Sequence, residues 1–239
     1  MAELLVGTFT ASLLLGGSVV LLHQSARVVD DLVSREESVE TLRTTWTVLH
    51  EELGAGLRGR DWDREEGTDR ALWLRAFRGI ALPCEWEPGS REGRVTWRGH
   101  RAPDPDRDSV LVLEAEGGWR LAALEAVSSA GGACLAPLEG QVAQWRLSER
   151  VSGPILIRYF ERGRYSLEDR AFRYRRGDEG RQPLTPERVG PASAFEASEG
   201  GGLDVILELQ PGGEVRWKIP WSGPPGPPWD PSPFLPEVP

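Results

Sequence analysis

The chain is short of the residues that carry most protein chemistry. It has three histidines, His23, His50 and His100, two cysteines, Cys84 and Cys134, and a single lysine, Lys218. His23 closes a long apolar run and His50 belongs to a charged helical segment, so a zinc or acid–base cluster would have to be assembled around His100 alone. The cysteines form no CxxC pair, and no GxSxG, Walker or GxGxxG text stands in a strand-to-helix context. No enzyme, metal site or cofactor is expected. The formal net charge of −9 excludes nonspecific binding to nucleic acid, which needs a clustered basic surface.

Asp104, Asp106 and Asp108 alternate in PDPDRD with the spacing of the first ligands of a calcium loop. Ser109 holds the sixth position, where an EF-hand needs Gly, and Ala115 the twelfth, where it needs Glu. A solvated turn is the expected structure.

Charge is absent from Leu4 to Leu22, LLVGTFTASLLLGGSVVLL, and proline is absent from Ala2 to Leu53. A helix over the uncharged run spans roughly 28 Å, close to the ~30 Å hydrocarbon core, so residues 1–23 are expected to cross a bilayer. A secretory signal peptide would need a basic n-region, a shorter apolar run and a small-x-small cleavage site, and Met1-Ala2-Glu3 supplies nothing basic.

Beyond the span, apolar residues keep helical spacing: Val28, Val29 and Leu32, then Val39, Leu42, Trp46, Leu49 and Leu53. Residues 24–56 are therefore expected to be an amphipathic stalk continuous with the span, a rod of about 78 Å ending at Gly54-Ala55-Gly56. Its stripe is expected to pack on strand residues including Val205, Leu207 and Trp217.

From Ala71 the period becomes two. Leu203, Val205, Leu207 and Leu209, a Pro211-Gly212-Gly213 turn, and Val215, Trp217 and Ile219 make a hairpin, and similar runs lie at 109–114, 141–147, 155–160 and 171–175. Short connections predict antiparallel neighbours. The fold class expected is α+β, the long helix packed on an antiparallel sheet domain of residues 71–221, with a linker at 57–70. Residues 222–239 hold eight prolines and read as an extended tail. Cys84 and Cys134 are independent thiols in a reducing compartment and a pair outside it; with the anchor the bridge is expected, closing a loop of about 50 residues.

Glu3 stands just before the apolar run, where a carboxylate costs several kcal/mol in lipid unless it stays at the interface or finds a partner. One reading makes it the polar edge of the span. The other comes from its neighbours: Glu3-Leu4-Leu5-Val6-Gly7, a long apolar helix and an amphipathic continuation ending near His50-Glu51-Glu52-Leu53 resemble the mature N-terminus of type IV minor pilins and J-type pseudopilins of type II secretion. The text from Tyr165 to Asp169, Phe172 to Arg176 and Gln182 to Leu184 is similar to their β-rich domains. Gly7 stands where that family has Ala, and its basic leader, cleaved Gly and first Phe are expected upstream of Met1.

That resemblance implies a pilin-like domain outside a bacterial inner membrane and assembly into a filament with other pilins through the N-terminal helix, after processing by a prepilin peptidase. Glu3 would neutralise a neighbour's terminal amine, and Gly7, Ala11, Ser12 and Gly16 would permit close helix approach in the bilayer. The alternative is a single-pass anchored periplasmic binding or interaction domain.

Overall fold

The computed structural model describes residues 2–132, 134, 137–177, 179–198 and 202–220 and, before residue 12, only the side chains of Gly7 and Phe9. The proline-rich 222–239 lies outside the described residues. One helix, α1 (Ala2–Gly54), runs without a break through Gly16 and Gly17, about 80 Å at the α-helical rise. It stops at the expected glycine, where Ala55 N–H still donates to the carbonyl of Glu51.

Among the described residues twelve strands follow: β1 (Trp62–Arg64), β2 (Ala71–Trp86), β3 (Ser90–Gly99), β4 (Asp108–Glu114), β5 (Trp119–Ser129), β6 (Gln141–Val151), β7 (Pro154–Glu168), β8 (Ala171–Arg176), β9 (Gln182–Pro183), β10 (Ala194–Ala197), β11 (Leu203–Leu209) and β12 (Gly213–Ile219). The order β2-β3-β6-β5-β4-β7 closes on itself, because β7 also pairs with β2, and every pairing is antiparallel. This six-stranded barrel corrects the expected α+β class. The molecule is mostly β, and the pilin-like arrangement of a helix on a sheet does not describe it. Closure removes the open edges that a flat sheet of long strands exposes.

The barrel is filled by its own side chains, among them Val95, Val112, Trp145, Leu147, Ile157 and Tyr159, with no helix residue in that core among the described residues. Trp97 and Trp145 meet the Tyr159 ring edge-on, and its hydroxyl donates to the Arg101 carbonyl. Gly79 and Gly99 make room for that ring, since a Cβ would lie 2.5 Å from Tyr159 at the first and 2.0 Å from its hydroxyl at the second.

β2 and β7 are longer than the barrel needs. Their far halves, Ala71–Phe77 against Phe160–Ser166, project beyond it and carry β8 and β1. A second core joins this ribbon to the β10-β11-β12 sheet and the end of α1: Leu49, Leu53, Leu72, Phe172, Val205 and Leu207 are all buried in it. The 57–70 segment is more ordered than its charge suggests. Trp62 and Asp61 are buried, the Trp62 indole donates to the Leu53 carbonyl, and Asp61 binds Arg75.

The buried face of α1 is rotated from the expected stripe. Leu42, Leu49 and Leu53 do pack with Val205, Leu207 and Trp217, but Val39 and Trp46 are exposed while Ser38, Thr41 and Thr45 are buried. The hydroxyls of Ser38 and Thr41 accept burial because they donate to helix carbonyls one turn back, at Ser34 and Glu37. The Ser38 hydroxyl also reaches the Pro211 carbonyl of the β11–β12 turn.

Cys84 and Cys134 form a disulfide, Cα atoms 5.4 Å apart, tying β2 to the β5–β6 connection. The double change Cys84→Ser and Cys134→Ser should lower stability by about 4 kcal/mol from loop entropy. Denaturant midpoints with and without reductant measure it; equal midpoints for oxidised and reduced protein would mean the bridge constrains nothing.

Candidate functional site

Residues 12–33 of α1 are exposed throughout, so the helix leaves the β domain as an uncovered arm. It is one helix long and apolar enough to cross a membrane, and its apolar window has nothing buried. A single-pass anchor is compatible with this.

The four small residues on the arm do not share a face. At 3.6 residues per turn Gly7 and Ala11 lie one above the other, and Ser12 and Gly16 form a second pair on roughly the opposite side. A Cβ added at Gly7 or Gly16 would meet nothing within 4 Å. Each pair has the small-xxx-small spacing that lets another helix approach closely, and two opposed pairs admit two neighbours. The Glu3 and Ala11 side chains lie outside the described set.

An apolar line runs from the arm along α1 beside the face that the domain buries. Val28, Leu32, Val39 and Trp46 fall within about 40° of one another around the axis. Trp46 is 46% exposed and stacks flat on His50, ring centroids 5.0 Å apart. The sequence located these residues but assigned Trp46, with Leu42, Leu49 and Leu53, to the core. Apolar periodicity identifies a stripe, and the domain closed over its neighbour.

Sequence reading missed the charged junction between helix and barrel altogether. Arg78 on β2 contacts Glu52 of α1 and Glu161 of β7; Arg101 contacts the same Glu161 and grips Asp108 with two hydrogen bonds of 2.6 and 2.7 Å. The Tyr174 hydroxyl also donates to Glu161, at 2.8 Å. Burial acts to raise the Glu161 pKa, but Arg78, Tyr174 and Arg101 outweigh it and hold the carboxyl below its usual range. Burial also pushes the Tyr159 phenol up to about 12. These residues lie too far apart in the chain for any motif to signal them; tertiary pairing of β2, β4 and β7 assembles them.

Two of the PDPDRD carboxylates, Asp104 and Asp108, are engaged with protein groups. Asp108 is held by Arg101, Asp104 pairs with Arg107, and the Asp106 amide donates to Asp104. Among the described residues no three His, Cys, Asp or Glu side chains form a metal-binding group.

No family model matches this chain, and neither the curated proteins nor the solved structures contain a match to it.

Proposed function

We propose that this chain is a membrane-anchored assembly subunit of the minor pilin or pseudopilin kind, acting in a type IV pilus or type II secretion filament. The observation that carries the reading is the single unbroken helix: its N-terminal arm is exposed, while its last turns are locked into the β domain by a shared core and by the Glu52–Arg78 pair. A flexible tether suffices to hold a receptor domain near a membrane. A rigid rod is what transmits position from lipid to domain, as packing in a filament requires. The reading rests also on the resemblance of residues 1–7, and the barrel adds nothing to it.

In this role the subunit does no chemistry. It is drawn from the membrane and packs through the arm, with Gly7/Ala11 and Ser12/Gly16 admitting helices on two sides and Glu3 meeting the amine of an adjacent chain. That pairing removes the cost of two separate charges in an apolar setting and sets axial register. The disulfide suits an oxidising space outside the membrane.

Glu3→Ala should leave membrane insertion intact and cut recovery in sheared filaments at least tenfold when co-expressed with its assembly partners. Unchanged recovery would remove Glu3 from the assembly contact. Expression with the upstream in-frame codons and a prepilin peptidase should shorten the product by the leader's mass. Failure of both points instead to the anchored binding domain.

A further inference from the structure

The apolar line of α1 does not begin at Val28. Counted in sevens, it reaches back through the lipid run, where Gly7, Ala11, Leu14, Ser18 and Leu21 hold alternate d and a places of one heptad frame. The same frame places Ser25, Val28, Leu32, Arg35 and Val39 on the seam beyond the lipid. A straight helix drifts about 20° per heptad from such a seam, and a left-handed supercoil takes up the drift. We propose that this seam is the contact between two parallel copies of the chain, in register from Gly7 to Val39, over about 48 Å.

Lipid can cover the first half of the seam but not the second. Val28, Leu32 and Val39 lie past the uncharged run and are 58, 59 and 63% exposed. An apolar line in water calls for a cover that follows the helix. The face of the opposite small pair, Ser12 and Gly16, continues instead as His23, Asp30 and Glu37. A neighbour on that side need touch α1 only within the bilayer, whereas one against Gly7 and Ala11 finds an apolar track out to Val39.

The track specifies its occupant. It passes from lipid into water without changing face, so the partner is a helix that crosses the bilayer in the same direction. Two copies share one lipid run, which sets them parallel and at equal height, and each layer then meets its own image, as a two-fold contact requires. Small layers meet at Gly7 and Ala11, where close approach is needed in lipid, and Leu21, Val28, Leu32 and Val39 meet their equals. Ser18 adds no unpaired donor, because its hydroxyl donates to the Leu14 carbonyl.

Charge fixes the register. Arg35 is the one charged seam residue, and the e place that flanks it across a parallel pair holds Glu36, so Arg35 of each copy meets Glu36 of the other. Asp31, at g, faces the same Glu36 as a like charge, with Arg35 between them. The next d residue, Leu42, packs against the domain core, so the contact ends after Val39. The domain buries Ser38, Thr41 and Thr45, about 100–160° around α1 from Val39, which leaves both β domains outside the pair. This inference goes beyond the filament reading and does not need it: it names what lies against Gly7 and Ala11.

The test uses the full chain in detergent. Sedimentation equilibrium in density-matched micelles is expected to show a dimer, weakened at least tenfold by Leu32→Glu and unchanged by Val33→Glu, which lies about 100° around the helix from Leu32. Benzoylphenylalanine at Val28 or Val39 should give covalent dimers joined between the 28–39 segments of the two chains, at least fivefold above the yield from Val33. A monomer at every concentration, a dimer indifferent to Leu32→Glu, or equal cross-linking from Val33 would each overturn the pairing. None of these results bears on the Glu3→Ala filament test, so the two readings fail separately.

Discussion

Glu161→Ala should cost about 3 kcal/mol, because it removes the one carboxylate that Arg78 and Arg101 share and leaves two partly buried guanidinium groups facing each other with only Glu52 and Asp108 as remaining partners. The Tyr174 hydroxyl loses its acceptor at the same time. Glu161→Gln keeps the shape and one acceptor oxygen but not the charge, and should fall between alanine and the parent. Urea unfolding of the full chain in detergent reads both. A loss under 1 kcal/mol for the alanine variant would mean that water replaces the carboxylate without penalty and that the junction is not desolvated.

The same residue sets a pH dependence. Its carboxyl titrates below the ordinary range in the folded protein, so its contribution is complete above about pH 5, where the unfolded chain is also ionised. As pH falls, the unfolded chain takes up the proton first, and the contribution is lost progressively toward the folded value. Glu168, held low chiefly by its hydrogen bond from Arg164 and by nearby charges, adds to the same slope. Stability of the parent should therefore drop as pH falls below about 5, and the drop should be shallower in Glu161→Ala but not absent. Parallel curves for the two proteins would contradict the assigned direction.

Trp145→Ala should be at least as damaging, at about 3–5 kcal/mol, since it empties the largest fully buried position of the barrel. Tyr159 loses its edge-on neighbour at 5.9 Å, and among the described residues no helix side chain lies in that core to collapse into the gap. Trp46→Ala, the same change on the outer face of α1, should cost well under half as much, because its indole is half exposed and its main contact is the His50 ring. Guanidinium unfolding of both variants checks the contrast. Equal losses would mean that Trp46 is covered in the folded protein by more than the described residues.

Much of the local structure was legible. The absence of proline and the uncharged stretch from Leu4 to Leu22 specify a long helix, and a glycine ends it where Gly54 and Gly56 stand. Alternation locates β4, β6, β7, β8 and the β11–β12 hairpin, because side chains on successive strand residues face opposite sides whatever the strand packs against. Barrel closure was not legible. Whether six antiparallel strands lie flat or close depends on β2 pairing with both β3 and β7, and alternation does not encode which strands meet.

The candidate site divides along the same line. Glu3, Gly7, Ala11, Ser12 and Gly16 are positions in one helix, so their angular placement follows from the sequence and α-helical geometry alone. Which side of α1 faces the domain was decided by shape. Small hydroxylated residues at 38, 41 and 45 are buried, with Ser38 bonded to the Pro211 carbonyl of the β11–β12 turn, while Val39 and Trp46 stay outside despite their greater hydrophobicity. The Glu52–Arg78–Glu161–Arg101–Asp108 junction is wholly tertiary, because opposite charges distant in the chain gain enough to be desolvated only when strand pairing holds them within hydrogen-bond reach. The sequence by itself determined the rod and its lipid-length apolar run, which need only local periodicity; the barrel, the outward face and the charged junction required contacts between strands that periodicity does not specify.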